Sequence, residues 1–333
     1  MSVADRLARN QIAAYAVASA AAVAAAVARP DAVAGFDAAI DPVLAVLLYV
    51  TFLEVPFVRL RRAFTNGRFV GAALATNFLV VPVVAWALTR PVADEPVVLV
   101  GALLVLLTPC VDYVIAFTGI ADGDAEQLTA TTPVLLLVQF ALLPGYLWLF
   151  AGPAAAAVVE AEPFLEAFAT LIAAPLALAW TTEWWAERSE TGRRAETVLG
   201  TLPVPMMALT LFVVIASQLP RVTASLDRIA AVVPIYAVFP IVMVAVGRVA
   251  AGVFGLDPGE SRALVFTSVT RNSLVVLPLA LALPDGYALA PAVVVTQTLV
   301  ELAWMVALTR AVPRWVVPSA PVGPSVPGPR VED

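Results

Sequence analysis

Ten uncharged or nearly uncharged stretches follow one another along the chain, and they limit its fold more than any other feature. With loose edges they cover residues 10–28, 40–58, 70–88, 97–120, 128–150, 164–180, 203–219, 231–254, 263–283 and 290–310. A helix rises ~1.5 Å per residue, so about 20 residues cross a hydrocarbon core of ~30 Å. Apolar residues run round most of each stretch, leaving no polar face wide enough for a water-soluble bundle. Composition agrees. Hydrophobic residues make up 61% of the 333 and charged residues 13%, against roughly a quarter charged in soluble domains. The expected fold is an all-α integral membrane protein of ten transmembrane helices.

Missing residue types narrow the chemistry. There is no histidine, which excludes Ser-His-Asp triads, histidine-ligated metal or haem, and histidine proton shuttles. The single cysteine, Cys110, excludes an internal disulfide and a cysteine-only metal cluster. A net charge of −6 argues against nucleic acid as a partner. No phosphate-binding loop, dinucleotide fingerprint or zinc-protease pattern occurs. The chain is therefore expected to be no enzyme and to need no cofactor or resident metal. All 19 basic residues are arginine; with much Ala, Val and Asp, that points to a GC-rich prokaryotic source and hence a plasma-membrane location.

The first stretch has two readings. Arg6 and Arg9 precede an Ala-rich run ending Ala26-Val27-Ala28, as in a cleavable signal peptide. The run is long for a signal core, and its loss would leave an odd number of spans, so a retained helix is expected. With the N-terminus inside, fourteen arginines fall on the cytoplasmic side and Arg29, Arg90, Arg221 and Arg228 outside, with Arg271 left in the membrane. The positive-inside bias thus places both termini in the cytoplasm. The expected organisation is a cytoplasmic N-terminus (1–9), a first five-helix repeat (10–150), a second (164–311) and a Pro-rich, disordered cytoplasmic tail (312–333).

The two halves superpose at a sequence offset of 158. Pro133 maps to Pro291 and Gln139 to Gln297, and Thr108–Asp112 lies over Phe266–Thr270. An odd number of spans per repeat forces opposite orientations, the inverted-repeat arrangement of secondary transporters.

Polar residues interrupt the fourth and ninth stretches at corresponding places. The fourth contains Thr108-Pro109-Cys110-Val111-Asp112-Tyr113; the ninth contains Thr267-Ser268-Val269-Thr270-Arg271-Asn272-Ser273. Proline removes a backbone donor and clashes with the preceding turn. The Thr/Ser/Asn run offers the backbone competing hydrogen bonds. Both helices are expected to break there, and broken helices must face protein or a water-filled cavity. An ionised group at a helix centre costs ~2.5–3.5 kcal/mol on insertion scales. Asp112 and Arg271 are therefore expected to approach each other, either as a static clamp or as a site for a solute or proton. Cys110 reads as a small buried residue or a ligand. Asn77, with Pro82 after it, and Gln139 and Gln297 read as interhelical hydrogen-bonding groups or site residues. Glu54 sits near a helix end, able to snorkel or pair with Arg59; Glu301 lies deeper. Trp184 and Trp185 fit an interfacial belt.

At these residues the sequence resembles the bile acid/arsenite/riboflavin transporter superfamily, and within it most resembles the arsenite efflux permeases called arsenical-resistance proteins. The likeness spans nearly all of the ten stretches. It rests on Pro109-Cys110 followed by Gly123-Asp124, on Leu299-Val300-Glu301 followed by Met305, on Asn272, and more weakly on Asn77 with Pro82. It implies two inverted five-helix repeats arranged as a panel and a core, with broken helices four and nine crossing, as in a bile acid:sodium symporter fold. It also implies proton-motive-force-driven efflux of trivalent arsenic, with Cys110 matching the family's span-four cysteine. Two differences stand out. Val275 occupies the position of a glutamate in those permeases. Thr267 and Arg271 occupy positions where sodium-coupled relatives carry Glu and Gln, and a guanidinium there repels sodium and can replace its charge.

Trivalent arsenic is thiophilic, and one cysteine gives one As–S bond, which suits a carrier that must release its cargo. Thr108, Asn272, Ser273 and Gln139 are candidate hydrogen-bond partners for arsenite hydroxyls, and Asp112 or Glu301 for a coupling proton. The other readings are an organic-anion symporter with Arg271 as countercharge, and a membrane scaffold that transports nothing.

Overall fold

The computed structural model describes residues 3–53, 66–111, 113–152, 166 and 168–317. Within them, short turns apart, the chain forms α1 (Val3–Ala28), α2 (Asp37–Leu53), α3 (Gly67–Leu88), α4 (Pro96–Leu106), α5 (Tyr113–Ile120), α6 (Ala125–Ala151), α7 (Ala174–Arg188), α8 (Glu190–Leu199), α9 (Pro203–Ala224), α10 (Val233–Val253), α11 (Pro258–Val269), α12 (Ser273–Leu281) and α13 (Ala290–Ala311). Among the described residues no strand is present; the one sheet-like feature is an isolated antiparallel bridge between Pro109 and Arg271.

Among the described residues, five helices are long and apolar enough to cross a membrane: α3, α6, α9, α10 with the turn before it (Leu226–Val253), and α13 with the π-helical turn after it (Ala290–Val316). Shorter apolar helices cover Ala13–Ala28, Ala38–Leu53 and Pro96–Leu106. Residues 97–120 and 263–283, each expected as one interrupted span, fold as two half-helices apiece: α4 with α5, and α11 with α12. The polarity of the bundle is that of a protein solvated by lipid. Leu79, Val83, Trp148, Ile241 and Val249 are exposed, whereas Asn77, Gln139, Arg271 and Glu301 are buried. Water would penalise the outward apolar area at ~25 cal/mol per Å²; hydrocarbon does not.

The helices start where sequence chemistry dictates. Asn66 caps α3 by accepting from the Phe69 N–H (3.2 Å), and Asp124 caps α6 by accepting from the Gln127 N–H (2.8 Å). Asp257 and Glu260 form a reciprocal capping box on α11. Within α3 the backbone widens into a π-helical turn at Thr76–Val80. Pro82 has no N–H to offer the Phe78 carbonyl, and the Tyr146 hydroxyl of α6 donates to that oxygen instead.

Helices α1, α2, α7 and α9 pack on one another, and α3–α6 and α10–α13 form a second group; α9 against α13 is a main seam between them. Helix α1 runs unbroken through Ala26–Ala28 and lies along α9, burying Tyr15, Ala22 and Ala26. Close approach in the second group depends on small residues. A Cβ at Gly247 of α10 would lie 2.7 Å from Ser268 Oγ and 3.0 Å from Val265 Cα of α11. Gly247→Val should therefore destabilise the protein by ~1–3 kcal/mol through overpacking. Gly145→Val, where a Cβ meets nothing within 4 Å, should do far less. Thermal unfolding of both variants in detergent checks this.

Residues 312–316, expected within a disordered tail, are helical instead. Val312–Val316 continue α13 as a π-helical turn, held because Val312 is buried and the Val317 carbonyl accepts from Arg262 Nε (3.0 Å). Residues 318–333 of that expected tail, Glu54 with Arg59, and residue Asp112 lie outside the described residues.

Candidate functional site at the helix crossing

The two breaks have different local causes and one shared solution. Helix α4 stops at Leu106, two residues short of a Thr-Pro pair; the residue before a proline is driven away from helical ψ. Thr108 turns its hydroxyl back onto the Leu104 carbonyl (2.9 Å). Helix α11 stops without a proline. Thr270 is extended (φ −79°, ψ 137°), its hydroxyl bonds the Phe266 carbonyl (2.8 Å), and Asn272 caps α12 by accepting from the Val275 N–H (3.2 Å). The competing side-chain hydrogen bonds foreseen for the Thr/Ser/Asn run are thus in place. Backbone groups freed by each break meet those of the other. The Cys110 N–H donates to the Thr270 carbonyl (3.1 Å), and the Asn272 N–H donates to the Thr108 carbonyl (2.8 Å). The broken helices therefore cross, joined by their own main chains.

Arg271 sits at the centre, its side chain fully buried. Its Nη1 donates to the Leu106 carbonyl (3.3 Å). Its Nη2 donates to Asn77 Oδ1 (2.9 Å) and to the Thr267 and Ser268 carbonyls (2.8 Å each). The guanidinium carbon lies 5.4 Å from the Phe239 ring centroid. Asn77 reaches it from the π-helical turn of α3, a local widening often found at functional sites. Leu106 ends α4, and Thr267 and Ser268 belong to the last turn of α11, so the cation rests on the partial negative charge of two helix C-termini.

A carboxylate lies on the other side of the same backbone. Glu301 of α13 is buried, and its Oε2 accepts from the Arg271 main-chain N–H (2.8 Å) and from Gln297 Nε2; its Oε1 accepts from the Tyr113 hydroxyl. That hydroxyl also lies 3.1 Å from the Arg271 carbonyl oxygen. Glu301 thus holds the starts of both second half-helices, α5 and the segment leading to α12. Among the described residues its partners are the Arg271 amide, a phenol and a carboxamide; the guanidinium binds elsewhere.

The crossing brings together Asn77, Thr108, Pro109, Cys110, Thr270, Arg271, Asn272, Gln297 and Glu301. Cys110 is fully buried. Ser273 is turned to Thr298, whose hydroxyl donates to Ser273 Oγ (2.7 Å). Gln139 is buried on α6, and neither of its amide atoms has a partner among the described residues; no hydrogen bond joins it to the crossing. The expected approach of Asp112 to Arg271 falls outside the described residues. Phe239 and Thr298 went unnoticed in the sequence, and Tyr113 was read with the span-four run but given no role. Only Tyr113 left a signal, because the offset of 158 lays it on Arg271.

The Gly123-Asp124 pair does structural work near the start of α11. The Gly123 N–H bonds the Thr118 carbonyl (2.9 Å), and a Cβ there would lie 2.7 Å from Thr118 Cγ2. The Asp124 N–H donates to the Gly259 carbonyl (3.0 Å), and Arg262 Nη1 donates to the Asp122 carbonyl (2.9 Å). The turn between α5 and α6 is thereby pinned to α11.

Broken helices with charged and polar groups buried where they cross are the architecture of a solute carrier. Comparison with known proteins agrees. The sequence pattern of the Sodium Bile acid symporter family matches residues 41–225. That segment holds α4, α5 and Cys110 and ends before Arg271 and Glu301. No curated protein matches the chain. Since the match covers more than half of the sequence, the chain belongs to the sodium bile acid symporter family, and it is an integral membrane protein that transports a small solute.

Proposed function

We propose that the protein is a secondary transporter that exports trivalent arsenic, as neutral arsenous acid, in exchange for protons. In this reading it spans a prokaryotic plasma membrane ten times as two inverted five-helix repeats, with both termini cytoplasmic. The pairing of half-helices supports the repeat: α4 and α5 correspond to α11 and α12 at the offset of 158, and Pro82 of α3 corresponds to Pro240 of α10 at the same offset. The packing of α1, α2, α7 and α9 apart from the other helices supports a panel and a core.

One observation carries the choice of solute. At the crossing the chain's one thiol, Cys110, is buried on a residue whose main-chain N–H donates to the Thr270 carbonyl, while the Arg271 guanidinium is fully buried with its two terminal nitrogens donating to carbonyl and amide oxygens. A soft sulfur with neutral hydrogen-bonding groups suits arsenous acid. Four hydrogen bonds tie the guanidinium to protein oxygens, which disfavours it as a countercharge for an organic anion, although its Nε has no partner among the described residues. Glu301, buried and joined to both broken helices, is the group for the coupling proton.

The family's name favours a second reading, sodium-coupled uptake of a bile-acid-type anion. Purified protein in proteoliposomes separates the two. Interior-acid vesicles should accumulate arsenite, and collapse of the pH gradient should stop it. Taurocholate flux that requires sodium, without arsenite flux, would overturn the proposal in favour of the anion symporter. Flux of neither would overturn the proposal in favour of another small solute.

A further inference from the structure

The oxygens around Arg271 form a cage of the kind that holds a small cation. Three are main-chain carbonyls, of Leu106, Thr267 and Ser268, and the fourth is Asn77 Oδ1. Two helix C-termini, each carrying about half a negative charge, converge there. The hydroxyl of Thr267, on the same turn, is buried and has no partner among the described residues. Phe239 adds the face of an aromatic ring. In membrane carriers, unwound carbonyls and half-helix C-termini are the groups that coordinate a sodium ion. An unfilled cage of this kind, in a dry interior, would leave carbonyl dipoles aimed at one another.

We infer that Arg271 is a tethered cation that permanently fills a small-cation site at the crossing, so that the transport cycle needs no sodium ion there. The guanidinium supplies the positive charge that otherwise must be recruited from solution. It cannot leave, so cation binding is removed from the cycle as a control point and coupling passes to other groups. Two features separate this from an ordinary buried ion pair. Every described hydrogen-bond partner of the guanidinium is a neutral oxygen. Three of the four are carbonyls of residues that end broken helices. The assignment stands on this geometry and not on the identity of the solute.

The test reads cation binding, so its failure and a failure of arsenite transport are distinguishable. The full chain, purified in detergent, is titrated with radiolabelled sodium and melted in sodium or N-methylglucamine chloride. The wild type should show no saturable sodium binding and no shift in Tm. Arg271→Ala should melt lower, and millimolar guanidinium or sodium should raise its Tm by several degrees, as a ligand bound only by the folded state does. Arg271→Lys, which keeps a tethered charge, should respond to neither. Saturable sodium binding by the wild type overturns the inference, and that arm stands whether or not Arg271→Ala folds. A folded Arg271→Ala that ignores guanidinium, sodium and potassium alike overturns it too.

Discussion

Replacing Cys110 by serine should cut arsenite flux about tenfold or more, a loss of at least ~1.4 kcal/mol of binding, while the protein keeps its fold and membrane level. The two side chains are similar in size. The main-chain bond from residue 110 to the Thr270 carbonyl does not involve the side chain, so the crossing should survive. What changes is the donor atom: oxygen is a far harder ligand than sulfur, and trivalent arsenic prefers the softer one. Arsenite flux in proteoliposomes, beside the Tm of both proteins in detergent, checks the prediction. Unchanged flux would reduce Cys110 to packing and remove the main support for arsenic as the solute.

Glu301→Gln should uncouple the carrier. The substitution keeps the size of the side chain but replaces an acceptor oxygen with an NH2 donor in a site where the Tyr113 hydroxyl, the Arg271 N–H and Gln297 Nε2 all donate to the carboxylate. If the amide oxygen keeps the Arg271 N–H and Gln297 Nε2, the Tyr113 hydroxyl can turn to the Arg271 carbonyl 3.1 Å away, so the loss of stability should be small, ~1 kcal/mol. The variant also has no carboxylate to accept a proton. Uphill arsenite accumulation in interior-acid vesicles should fall to background, whereas exchange of labelled for unlabelled arsenite at equal pH on both sides should persist. Uphill accumulation by Glu301→Gln at the wild-type rate would exclude Glu301 as the proton's carrier.

Some of this was written in one dimension. The lipid-solvated, helical nature of the chain follows from run lengths and from a scarcity of charge, both of which survive any rearrangement of packing. The breaks were legible as well, because proline at 109 and the Thr/Ser/Asn run at 267–273 act on the backbone within a turn of themselves. The offset of 158 pointed to the two elements that meet. The expected burial of Arg271, Glu301, Gln139 and Gln297 also follows locally: a polar group in hydrocarbon has to turn inward.

The partners of those buried groups were not legible, since partnership is a property of the crossing and not of either helix. Read as a sequence, Arg271 invited a carboxylate, and Asp112 was the neighbour to choose. Asp112 lies outside the described residues; among those described, the guanidinium is held by the Leu106, Thr267 and Ser268 carbonyls and by Asn77 Oδ1, while a carboxylate, Glu301, takes the main-chain N–H of the same residue. Carbonyl oxygens have no letter of their own in a sequence; they become a binding site only where a helix ends and another end faces it. Tyr113 and Phe239 were given no role for the same reason, being ordinary aromatic residues in apolar helices until packing set them beside Glu301 and Arg271. The sequence by itself determined which solvent the chain folds in, where its helices fail and which residues must hide. Only the tertiary structure decided what each hidden group binds, because the two broken helices are joined across roughly 160 residues by backbone groups that carry no sequence identity.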